Sequence, residues 1–220
     1  MQQQNKLKDS TLQFFHDLFD LMVVNVLWMV CCLPIFTIGS ATCAMYRVTL
    51  KLARGEAVNP ARDFFRGFKE NFKAGFLLGL LCGLLLAATA GDAWFSLQTQ
   101  GWIHTLYLAI AIIIGVVAMI LVSYTFALQA MFDAPLKTQL LNAFKLAAVA
   151  PGKTIALWLV LLIPVIAALV LPPVAIEMLG FLYLVVGFSG PAYGASRILR
   201  NIFDRVNGAT RKQAPPTSEE

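Results

Sequence analysis

Four cysteines, two histidines and a few acids are the residues of this chain that could carry chemistry, and their spacing argues against most of it. Cys31, Cys32, Cys43 and Cys82 all fall inside apolar runs, with Met29 and Met45 close by. Such sequence fits either buried free thiols or a soft-metal site of thiolate and thioether ligands. Neighbouring helical positions diverge by about 100°, so Cys31 and Cys32 converge poorly on one ion, and free thiols are the preferred reading. None of the four is spaced for a disulfide framework in an aqueous loop. His16 and His104 are distant and match no metal-ligand spacing. No G-x-S-x-G, H-E-x-x-H or phosphate-cradling glycine loop occurs. Asp20, Asp92 and Glu177 sit near the ends of apolar runs, not in the interiors where a buried acid marks ion coupling. The expectation is no catalytic residue, no metal site and no cofactor. Asn25 is the clearest polar residue deep in an apolar run; a helix–helix hydrogen bond is its plainer role and a substrate contact its sharper one.

The elements that would position these residues are membrane helices. Hydrophobic residues make up 59% of the 220 and charged residues 13%, and the mean hydropathy is +0.73. A water-soluble surface of this size carries far more charge. Several runs reach the roughly 18–20 residues that cross a bilayer. The expected fold is an all-α membrane protein, a bundle of about five transmembrane helices over residues 18–46, 74–90, 103–130, 154–171 and 174–198. Kinks are expected at Pro34 and Pro164, amphipathic interfacial helices including one over 60–73 and a stretch through Leu140, Leu141 and Phe144, one domain over 1–206 and a disordered cytoplasmic tail over 207–220. Lys6, Lys8, Asp9, Asp17 and Asp20 precede the first run and no small-residue cleavage site follows it, so that span is expected to be retained.

Local signals refine the map. Pro34 removes a backbone donor, and Gly39, Ser40, Ala41 and Ala44 offer a face for close helix packing. A re-entrant hairpin turning at Pro34–Gly39 is the alternative to a kinked span. Asn59-Pro60 reads as a helix start, with Asn59 as cap. On that helix Phe64, Phe65, Phe68 and Phe72 fall on one side, and Arg62, Arg66, Lys69 and Lys73 form a stripe about 115° away. Rings toward acyl chains and cations toward phosphates suit the headgroup layer or a docked partner. Gly75, Gly79, Gly83, Ala87 and Gly91 keep four-residue spacing, a small-residue ridge for helix packing or an oligomer. Trp94 and Trp102 are placed as interfacial anchors. Ser123, Tyr124, Thr125 and Gln129 suit hydrogen bonds to a neighbouring helix, and Gly187, Gly190, Pro191 and Gly194 make a second weak point.

Lys plus Arg number 2 before the first run, 7 in residues 47–73, none in 91–102, 3 in 131–153 and 5 after Ser196. The positive-inside rule then puts loops 47–73 and 131–153 and the C-terminus in the cytoplasm. With five spans the N-terminus is outside; with a re-entrant first segment both termini are inside. A loose repeat is also present: FRGFK (65–69) resembles LNAFK (141–145), and GSATCAMYR (39–47) echoes GPAYGASR (190–197).

The ordered string Asn25-x-Leu27-Trp28, Cys32-Leu33-Pro34-Ile35, Thr37-Ile38-Gly39, Ala41, Ala44-x-Tyr46 and Lys51-Leu52 resembles the YesL-like family of bacterial membrane proteins. So do Arg54-Gly55-Glu56 and Arg62-Asp63-Phe64-Phe65-x-x-Phe68-Lys69-x-Asn71-Phe72. That family is a domain of unknown function, so the resemblance carries over no catalytic residue. It implies a multi-span protein with an accessory role in sugar import or its regulation. The expected function is a non-enzymatic accessory or regulatory partner in the bilayer, binding a membrane transporter or sensor protein and no nucleic acid. The alternative is a small transporter or channel for a solute such as a sugar.

Overall fold

Pro34 does more than kink the first apolar run: the chain reverses there. The computed structural model describes residues 2–132, 134–170 and 186–213. Helix α1 (Gln2–Cys31) ends short of the proline, a 3-10 turn follows (Ile35–Thr37), and α2 (Ile38–Arg54) runs back antiparallel. Near the turn the Trp28 indole N–H donates to Thr42 Oγ1 at 3.2 Å. At the far end Leu18 and Leu21 lie beside Leu52 and Ala53. The expected single kinked helix over 18–46 is therefore two antiparallel helices joined at Pro34. Proline supplies no N–H and drives Leu33 out of the helical region. The Thr37 hydroxyl then occupies the freed end of α1, 2.5 Å from the Cys31 carbonyl and 2.6 Å from that of Pro34.

Gly55, at φ 71°, ends α2 in the left-handed conformation that a side chain would resist. The next helix, α3 (Pro60–Glu70), begins as its sequence requires: Asn59 Oδ1 accepts from the Arg62 N–H, and Asp63 accepts from the Asn59 N–H in return. After one residue, Asn71, comes α4 (Phe72–Gln98). It crosses the start of α2 so closely that a Cβ on Gly39 or Gly75 would strike backbone. The small face of α2 and the first half of the glycine ridge are thus two sides of one crossing. Gly83 and Gly91 face open space, so an oligomer contact on this ridge would have only that half available.

Helix α5 (Trp102–Met131) returns along α4. Thr89 packs beside Gly115, Phe95 stacks on Tyr107 at 5.9 Å between centroids, and His104 Nδ1 lies 2.6 Å from the Ser96 carbonyl. These contacts carry α4 to Gln98, so most of the expected loop at 91–102 is helix and the turn is short, with Gly101 at φ 68°. Within the segment 131–153 lies α6 (Leu136–Val149), which includes Leu140, Leu141 and Phe144, followed after Ala150 by α7 (Pro151–Val170), which runs through Pro164. Of the expected last span, residues 174–185 lie outside the described residues; Gly187 and Phe188 form a turn before α8 (Ser189–Gln213). That helix passes Asn207, where the polar tail was expected to begin, and residues 214–220 lie outside the described set.

The described residues are helical with no strand. Helices α4 and α5 are long and apolar enough to cross a membrane; α6 with the first part of α7, bent by 108°, makes a third if taken as one broken span. The bend follows from Pro151, which cannot continue the helix of the residues before it. Leu77, Leu80, Leu84, Ile112 and Ile113 are exposed on α4 and α5, apolar faces that lipid satisfies and water would not. The core lies lower on the bundle around α2, which is buried by α1, α3, α4, α5 and α8. Uncharged hydrogen bonds fasten these helices. Thr49 and Ser196 hydroxyls are 2.8 Å apart, Tyr124 and Thr154 hydroxyls 2.7 Å, and Ser40 Oγ donates to the Phe72 carbonyl at 2.8 Å.

Candidate functional site

The helix expected to carry docking residues, α3, has two unlike faces. At 100° per residue, Phe64, Gly67 and Asn71 fall together and are buried against α2. Phe64 is fully buried in the core, a correction to the expectation that its ring faces acyl chains or a partner. Phe68 is partly buried, stacked on Phe64 at 6.5 Å and edge-on to Phe72 at 5.6 Å. Phe65 lies at the border between the ring stripe and the cation stripe and is 53% exposed. Arg62, Arg66, Lys69 and Lys73 are exposed beside it, and Phe72 is partly open.

Ion pairs hold this helix in place. Lys51 Nζ is 2.9 Å from Asp63 Oδ1, Arg47 pairs with Glu70, and Arg66 Nε reaches Glu70 Oε1 at 2.8 Å. Burial pushes the Asp63 carboxyl up, but hydrogen bonds from Lys51 and the Asn59 N–H, with the charges of Lys51 and Arg47, outweigh it and hold the group below the usual carboxylate range. Glu70 is also held low, first by its hydrogen bond from Arg66 and then, against a small burial effect, by Arg47. By net charge residues 47–73 are a basic segment, within which these acids are easily overlooked. Asp63 and Glu70 stand seven residues apart, two helical turns, opposite Lys51 and Arg47 of α2. That spacing was the available signal.

A polar crevice of about 300 Å³ opens between α2, the α3–α4 joint and the end of α5, lined by Arg47, Arg54, Glu56, Glu70, Asn71 and Gln129. Asn71 donates to the Gly67 carbonyl and accepts from Gln129 Nε2, both at 3.0 Å, while Gln129 Oε1 is buried without a partner. A second crevice, about 530 Å³, has Asp17, Arg54, Arg197 and Arg200 on its walls. Arg200 is committed in part to the Ala53 carbonyl at the end of α2, at 2.5 Å, and Arg197 lies over the Tyr193 ring.

The two broken helices meet at Asn25. Its Oδ1 accepts from the Phe188 and Ser189 N–H groups at 3.0 and 3.1 Å, and Trp28 lies against Phe188, 4.4 Å between centroids. A buried amide thus caps a helix start more than 160 residues away. The bonds join α1 to the start of α8. Beside it runs a groove of about 760 Å³ between the α1–α2 turn, α4 and α8, lined mainly by apolar residues such as Trp28, Phe36, Phe76 and Leu84. Pro34 is exposed in the turn, Gly190 packs on its neighbour Val186, and Gly194 faces Val160 of α7.

Cys43 and Cys82 are buried and Cys31 and Cys32 partly so, all as free thiols. Among the described residues no three of His, Cys, Asp and Glu stand close enough to hold an ion.

Neither a curated protein nor a solved structure matches the chain. Residues 21–93, from the middle of α1 through most of α4, match the model of a family described as "Protein of unknown function, DUF624", which is consistent with the resemblance read over residues 25–72. The stretch with the hairpin, the ion-paired α3 and the glycine crossing is therefore the part of the chain that is similar to this uncharacterised family.

Proposed function

We propose that the chain is a non-enzymatic membrane protein that holds a second membrane protein against the exposed face of α3. Its basic segments 47–73 and 131–153 and its C-terminus lie on the cytoplasmic side, as the Lys and Arg distribution favours. The observation that carries this reading is the contrast across α3: one face is pinned by Phe64 and two ion pairs to α2, while the other presents Phe65 among Arg62, Arg66 and Lys69. A rigidly mounted aromatic flanked by arginines is a common anchor of protein interfaces. The family resemblance suggests a carbohydrate transporter or membrane sensor kinase as partner. With a photoreactive residue in place of Phe65 in native membranes, we expect one discrete protein adduct, reduced at least fivefold by Arg62→Glu with Arg66→Glu. Adducts with lipid alone would overturn the reading.

A second reading, a small transporter, is favoured by the meeting of two broken helices at Asn25. The adjoining groove is mostly apolar, so an apolar solute suits it better than the sugar first considered. Flux into proteoliposomes no greater than into empty vesicles would exclude this.

A further inference from the structure

We infer that the α3–α4 joint is a binding site for an anionic phospholipid, headgroup at Lys69 and Lys73 and one acyl chain along α4 into the apolar groove. The site goes beyond partner docking at Phe65 and does not rest on it. A notch of about 450 Å³ is formed by Phe68, Lys69, Glu70, Phe72 and Lys73 at the point where α3 gives way to the membrane-spanning α4. The Glu70 charge is taken by Arg47 and Arg66. Lys69 and Lys73 make no ion pair among the described residues, so the mouth of the notch is cationic. The rings of Phe68 and Phe72, edge to face at 5.6 Å, form its apolar floor.

What lies beyond the lysines decides the occupant. Leu77, Leu80 and Leu84 follow Lys73 at four, seven and eleven residues, one line down the helix, and all three are exposed. Eleven residues of helix span roughly 16 Å, a fitting length for much of an acyl chain. Leu80 and Leu84 also form a wall of the groove that Trp28, Ile35 and Phe36 close from the hairpin side. A cationic mouth continuous with an apolar track at the start of a spanning helix complements a molecule that is anionic at one end and aliphatic along its length. Phosphatidylglycerol has that chemistry. A soluble phosphate would leave the track empty, and a zwitterionic lipid would gain little from two uncompensated lysines.

Trp28 reports occupancy of the groove. The full-length protein, with Trp94, Trp102 and Trp158 replaced by Phe, is placed in vesicles of equal phosphatidylglycerol and phosphatidylcholine, with brominated chains on one lipid or the other. We expect stronger Trp28 quenching when phosphatidylglycerol carries the bromine, a preference reduced about fivefold by Lys73→Gln and further by adding Lys69→Gln. Lys137→Gln with Lys145→Gln, which removes the same charge elsewhere, should leave it intact. Equal quenching by the two lipids, or equal loss in the control pair, would overturn the site. Because Phe65 crosslinking is scored separately, failure here leaves the partner reading standing.

Discussion

At Asn71 and again at Ala150 a short amphipathic helix gives way, across one residue, to a long apolar one. The likeness extends to side chains: Phe65 and Leu141 are 53% and 55% exposed, Gly67 and Ala143 are buried, and Lys69 and Lys145 are exposed. The sequence echo between 65–69 and 141–145 thus agrees in burial at its first, third and fifth positions, whereas Phe68 is partly buried where Phe144 is exposed. The fastenings differ. The first helix is bound to α2 through Asp63 and Glu70, and its joint through the buried Asn71 amide. The second carries Gln139 where the first has Asp63; its Nε2 donates to the Phe132 carbonyl at 2.7 Å, and its joint residue is an alanine followed by proline. One joint is held by charge and a shared amide; the other is bent 108°, and the helix before it is fastened at its start by a neutral bond.

The difference is tested most severely at Gly75, the close contact just beyond the first joint. A side chain there meets Ser40 and Gly39 backbone, which cannot yield as a flexible side chain would. Overpacking costs about 1–3 kcal/mol and more where backbone must move. Gly75→Leu is therefore expected to lower the melting temperature in detergent by several degrees. Gly83→Leu, on the same ridge but facing open space, should leave it nearly unchanged. Equal losses in the two variants would mean that the crossing is not tight.

Asn71→Ala comes next. It removes the bonds to the Gly67 carbonyl and from Gln129 Nε2, leaving a buried Gln129 amide bonded at neither end. The cost should be about 1–3 kcal/mol, whereas Ala150→Ser at the other joint should stay within about 0.5 kcal/mol. Adding Gln129→Leu to Asn71→Ala should recover part of the loss, because the orphaned amide goes with it. A double variant as unstable as the sum of the singles would separate the two residues energetically.

Much of this was legible in the sequence. Asn59-Pro60 opens α3 because capping is local chemistry, and the small face at Gly39–Ala44 met the glycine ridge because only small residues allow that approach. Asn25 stands out as a polar residue deep in an apolar run, but its partner does not, since a sequence separation above 160 residues carries no periodic signal. Pro34 is compatible in sequence with a kink or a hairpin, because a proline marks a break but not the angle across it. Phe64 and Phe65 were read together as one stripe, yet they lie about 100° apart, and tertiary packing divided them between core and surface. The acids of α3 were hidden by the net charge of their segment, although their seven-residue spacing was there to see.

The smallest expected effect separates the two fastenings by pH. Asp63 and Glu70 are held below the ordinary carboxylate range in the folded protein. A depressed pKa stabilises fully above the unfolded value, about 4, and the contribution is lost as pH falls through the folded value. The docking of α3 on α2 should thus be unchanged from neutral pH to about 5 and weaken progressively below about 4. Gln139 does not titrate, so the hold of α6 on the Phe132 carbonyl should persist. Amide hydrogen exchange, corrected for its intrinsic pH dependence, should show α3 losing protection relative to α6 in acid. The exchange difference should be modest, since the Asp63–Lys51 pair is partly hydrated and worth about 1 kcal/mol. Asp63→Asn should produce much of it already at neutral pH, and parallel loss of protection in both helices would show that acid loosens the bundle as a whole.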